Sequence, residues 1–156
     1  MLPDKDEQTN NAINHQENDW LLESYVRTLN GTEGQMHITI LIDGFLVSGL
    51  LVGGNRYFQE ILDRYLKSDV KDLDDSIKQL QTRIDSYTVD RFKPEVPVFY
   101  IHLLSATFHH PIGPGMPRKG VSFRARQNRV SGFYFGGYMP QKGDVETEQV
   151  DSDSTD

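Results

Sequence analysis

Residues 37–51, HITILIDGFLVSGLL, constrain the fold more than any other part of the chain. Ile38, Ile40 and Ile42 alternate with His37, Thr39 and Leu41, the period of two that marks a strand with one buried face. Asp43-Gly44 then matches a two-residue hairpin turn, in which both central residues need positive φ. With that loop length, Ile42 faces Phe45, Ile40 faces Val47 and Ile38 faces Gly49. Ile40 and Val47 are therefore expected in the core. Gly49 has no side chain to pack, and it is where a long strand can bend sharply, as a small barrel requires.

Helical signals flank this hairpin. Asn18 or Asp19 can cap a helix starting near Trp20, where Leu22, Tyr25, Val26 and Leu29 share one face and Asn30-Gly31 supplies a stop. After Gly53-Gly54, Asn55 is expected to cap a helix whose apolar stripe is Tyr57, Phe58, Ile61, Leu62, Tyr65 and Leu66. A further helix is expected from Ser68 or Asp69. Its seam is Val70, Leu73, Ile77, Leu80, Ile84 and Tyr87, spaced alternately by three and four. Such a seam ordinarily packs on a neighbouring element, with self-pairing as the alternative. Pro94 and Pro97 close the helical part. A β-prone run follows over 98–108, then a Gly/Pro connector over 109–120, an alternating strand over 121–126 and an aromatic strand over 130–138. No βαβ repeat is visible. The order predicts an α+β domain with a small antiparallel sheet or a partly closed Sm-like or SH3-like barrel of about five strands. It carries an N-terminal helix and a two-helix insertion after the second strand.

At 156 residues the chain suits one domain. Apolar residues make up only 37%, which suggests that part of the chain stays unfolded. The expected division is a disordered polar arm over 1–17, one α+β domain over 18–140 and a disordered acidic tail over 141–156. Cysteine is absent, which excludes disulfides, thiolate metal sites and thiol nucleophiles. The polar start lacks the apolar stretch of a secretory signal, so a cytoplasmic protein is expected. Charged or turn-forming residues interrupt the longest apolar run, 38–52, so no membrane helix is expected. The net charge of −7 is unevenly laid out. Residues 96–143 contain no acid and carry +6 through Arg118, Lys119, Arg124, Arg126, Arg129 and Lys142, leaving −13 elsewhere. Nucleic acid is disfavoured as a partner because phosphate repels a net acidic protein at long range. The basic strands are expected to face the protein's own acids.

No catalytic constellation stands out. His102 and His109 are seven apart and face oppositely on a regular strand, so no shared metal is implied. His109-His110-Pro111 is the best metal candidate, but no nearby acid orients it, and no metal or cofactor is expected. The segment 113–120, GPGMPRKG, lacks the order of a phosphate-binding loop, and prolines remove donors from it and from the residues before it. Asp74-Asp75 and the tail acids read as solvated faces. The chain is not expected to be an enzyme. The aromatic, uncharged strand around Phe133, Phe135 and Tyr138 would be a poorly guarded sheet edge. These three and, on the basic strands, Arg124, Arg126 and Arg129 are the candidate interaction residues, and homo-oligomer formation is expected.

Two resemblances bear on function. The capped helix followed by ITILIDGFLVSGLLV resembles the opening of Sm-like and SH3-like barrels, which would imply a module binding RNA or peptide. The chain also resembles the gas vesicle accessory protein U family (GvpU). Two blocks carry this likeness, 21–61 with HITILIDGFLVSGLLVGGNRYFQEI and 99–137 with YIHL and VSGFYFGG, about half the chain. The family's penultimate strand often has a Trp-Arg-Gly-like run where this chain has Phe123-Arg124-Ala125. The polar arm and the HHPIGPGMP connector are peculiar to this chain. The resemblance implies a non-enzymatic accessory protein of gas vesicle assembly, organisation or clustering, partnered by itself, the vesicle shell or other accessory proteins. It supplies no site residues.

Overall fold

In the computed structural model, residues 18–90, 93–110 and 115–138 are described. The expected arm, the acidic tail and part of the connector lie outside them. The elements are α1 (Trp20–Leu29), β1 (Gln35–Ile42), β2 (Phe45–Val52), α2 (Gly54–Leu66), α3 (Asp74–Val89), β3 (Tyr100–His109), β4 (Met116–Arg126), a short 3-10 turn (Gln127–Arg129) and β5 (Val130–Phe135). The expected α+β order is the observed one. No helix among the described residues is long and apolar enough to cross a membrane.

The strands form one antiparallel sheet in the order β4-β3-β2-β1-β5. The hairpin register is as expected, with Ile42 opposite Phe45, Ile40 opposite Val47 and Ile38 opposite Gly49. Asp43 and Gly44 take φ of 49° and 84°, which the turn demands. Ile40 and Val47 are wholly buried. Opposite Gly49 the β2–β3 register shifts, and a Cβ on Gly49 would lie 3.0 Å from the Leu104 carbonyl oxygen.

The ladder does not close, since β4 and β5 form no pairs. It is nevertheless strongly curled. A flat five-stranded sheet would hold its edge strands about 19 Å apart. The four steps from Arg126 to Val130 reach at most about 14 Å. The inner faces of all five strands accordingly share one cluster, with Ile38, Ile40, Val47, Leu51, Ile101, Leu103 and Ala125 at its centre and Phe123, Val130 and Phe133 around it. Leu22, Val26 and Leu29 of α1 complete that cluster. Asp19 caps α1 by accepting from the Leu21 and Leu22 amides. The buried Gln127 ties the helix down by donating to the Asp19 carbonyl at 3.2 Å.

Helices α2 and α3 pack together, and α2 lies against the outer face over Val52 and Leu104. Two expectations fail here. Asn55 lies in the first turn of α2 rather than capping it. Its Oδ1 accepts from Gly31 at 2.8 Å while Asn30 Oδ1 accepts from Gly54 at 2.9 Å, clamping the end of α1 to the start of α2. α3 begins at Asp74, beyond a left-handed Asp72, so Val70 lies outside it and is 64% exposed. The remaining seam residues are half-buried, and the helix they lie on packs on α2.

Candidate interaction site

Pairing of β3 with β4 sets Tyr100 opposite Arg126 and His102 opposite Arg124, all on the outer face. The Arg124 guanidinium lies over the Tyr100 ring, 3.5 Å from its centroid, and 5.7 Å from that of Phe58. Arg126 is more distant, at 5.8 Å from Tyr100. A guanidinium on an aromatic face keeps its edge N–H groups available for an acidic partner.

Behind Arg124 sits His102, 1% exposed, with ring centroids of Tyr57, Phe58 and Tyr87 at 4.9, 5.7 and 5.8 Å. Neither ring nitrogen has a hydrogen-bond partner among the described residues. Burial, and secondarily the Arg124 charge, lower its pKa from 6.5 to about 3. Burial likewise raises the Tyr57 and Tyr87 phenols, partly offset by Arg124. A neutral, enclosed imidazole does no proton transfer near neutrality, so His102 acts as a packing residue.

His109 departs from expectation. Ser105 takes φ of 51° beside a register shift in the β3–β4 pairing, and that bulge changes the alternation along β3. His102 and His109 therefore share the outer face, opposite Val52 and Leu46. They remain seven residues apart along the strand, and no group of metal-ligating side chains occurs among the described residues. The His109 Nε2 instead hydrogen-bonds the Ser48 hydroxyl, and its ring lies 4.5 Å from that of Tyr138. Burial lowers its pKa.

The six candidate residues do not form one patch. Arg124 and Arg126 lie on edge strand β4. Phe133 and Phe135 lie on the opposite edge strand β5, facing inward, where Phe135 meets Tyr25 of α1 at 4.4 Å. Tyr138 lies beyond β5 against His109. Arg129 pairs with Asp43 at 2.6 Å, pinning the hairpin turn to the start of β5. β5 also exposes Tyr134 and part of Phe135. Tyr100 and the rings around His102 were missed from sequence. Strand alternation over YIHL is enough to put Tyr100 and His102 on one face, but their juxtaposition with Arg124 depends on register between strands.

Fold and surface together define a class, an α+β domain built on a curled five-stranded antiparallel sheet with a helical hairpin on its outside. Residues 19–138 match the family described as gas vesicle protein GvpU-like, which is 120 of the 156 residues, and the chain belongs to that family. Membership associates the protein with gas vesicles. No curated protein and no solved structure matches the chain.

Proposed function

We propose that the protein is a non-enzymatic accessory protein of gas vesicle assembly, organisation or clustering. It works in the cytoplasm by associating with itself and by binding the vesicle shell or other accessory proteins. The observation that carries this reading is the family match across residues 19–138. The edge strands support the self-association half. β4 carries Arg118, Lys119, Arg124 and Arg126, which guard an edge, whereas residues 130–138 carry no charge. β5 of one copy can therefore pair with β5 of another, a self-complementary contact that closes at two chains. The α3 seam lends no support, because α3 lies on α2.

Flotation tests the reading. Purified protein mixed with intact gas vesicles should rise with them on centrifugation. Protein left wholly in the liquid below would refute it. The Arg124–Tyr100 stack favours a second reading, a module binding single-stranded RNA. That reading requires an RNA affinity that falls steeply with salt.

A further inference from the structure

A cleft of about 290 Å³ lies where the end of α1, the second half of α3 and the start of β3 converge. Arg27, Arg83 and Arg124 line it, against one carboxylate, Asp90. Two of these four charges are already matched. Arg27 donates to Glu23 at 2.7 Å, and Asp90 accepts from Lys93 at 2.9 Å. Arg83 and Arg124 make no ion pair among the described residues, and Arg124 is held by the Tyr100 ring. Two unmatched guanidiniums converging on one cleft suit carboxylates, whose planar geometry matches the guanidinium fork.

The chain carries its own supply. Residues 144–156 contain six acids and no base. The described chain ends at Tyr138, beside His109 at the far end of β3, while Tyr100 lies at the cleft end. The ten residues of β3 span about 30 Å. Ten residues of extended chain beyond Tyr138 cover about 33 Å, so Glu148, Asp151 and Asp153 come within reach. Tethering gives them a local concentration on the order of millimolar. We infer that the acidic segment 144–156 docks within its own chain into this cleft, its carboxylates on Arg83 and Arg124. This goes beyond the self-association reading. A segment docked at home occupies Arg124 and is withheld from the basic strand of a second copy.

Energy transfer on single chains tests this. The cysteine-free sequence permits dyes at Gln79→Cys, an exposed position on α3, and Ser154→Cys. At single-molecule dilution only contacts within one chain report, so the outcome is independent of whether the protein self-associates. Transfer should be high at low salt and fall by roughly half between about 0.02 M and 0.5 M, as screening releases the segment. Salt alone acts in the opposite sense, because a like-charged chain contracts when its repulsion is screened. Arg83→Gln with Arg124→Gln should keep transfer at or below the high-salt value at every salt. Arg83→Gln alone, at an exposed helical position, should lower transfer without risk to the sheet. Arg126→Gln with Arg129→Gln should leave transfer unchanged. Transfer that is flat with salt, that survives loss of Arg83 and Arg124, or that depends on Arg126 and Arg129 instead would overturn the inference.

Discussion

Enclosing an imidazole among three aromatic rings makes its charge a matter of stability. Folded His102 takes a proton only near pH 3, whereas the unfolded residue does so near 6.5. Between those values the unfolded chain binds the extra proton, so stability is lost as pH falls from about 6.5 to about 3. Each pH unit in that window is worth about 1.4 kcal/mol, or roughly 2 kcal/mol at pH 5. Urea unfolding at pH 7 and pH 5 should therefore show the wild type losing about 2 kcal/mol more than His102→Phe, which has no proton to take up. Equal losses would place the acid sensitivity elsewhere. Ile40, wholly buried opposite Val47 and Phe133, is the residue-scale test of the core. Ile40→Ala should cost roughly 2–5 kcal/mol, and a loss under about 0.5 kcal/mol, the level of an ordinary surface change, would contradict the inner-face assignment.

Among the elements, α3 is the least anchored. No residue of it is fully buried, and its end is held where Tyr87 lies over Gly54, so close that a Cβ there would come within 2.1 Å of the ring. Gly54→Ala should displace Tyr87 and cost about 1–3 kcal/mol, as overpacking does. Native-state hydrogen exchange should show α3 losing protection while β1 and β2 keep theirs. Uniform loss would mean that α3 and the sheet unfold as one unit. How far these elements could be read in advance follows from how local their causes are. The hairpin and α1 were legible because periodicity, turn and cap sit within a few residues of each other. The start of α3 was not, because Ser68 and Asp69 look like caps while the chain takes a left-handed step at Asp72. Nor was the shared face of His102 and His109. That depends on the Ser105 bulge, which Gly120 of β4 admits by leaving no Cβ to strike the Ser105 backbone, 2.6 Å away. Arg124 was among the candidate residues, but its stack on Tyr100 depends on a pairing between strands. The candidate residues were scattered across both edges for the same reason, since sequence order does not say that β5 joins β1.

For the whole molecule, the edges and the charge layout predict two assembly regimes. Pairing along β5 is backbone hydrogen bonding supplemented by Tyr134 and Phe135, and salt leaves both largely intact. Contacts between the acids on one chain's helices, not those of its home-docked segment 144–156, and another's β4 arginines are electrostatic, and they are screened over about 10 Å at 0.1 M salt. A discrete small oligomer should therefore persist at high salt, while larger assemblies form at low salt and dissolve as salt rises. Light scattering across a salt series measures both. Arg124→Gln with Arg126→Gln should abolish the larger assemblies and spare the small oligomer. Arg129→Gln should matter less, because Arg129 is already held by Asp43. Tyr134→Lys should do the reverse of the arginine changes, placing a charge on the β5 edge and splitting the small oligomer. A monomer at every salt would remove self-association from the proposed function. Large assemblies that persist without Arg124 and Arg126 would remove the charge layout as their cause and leave the apolar edge to explain both regimes.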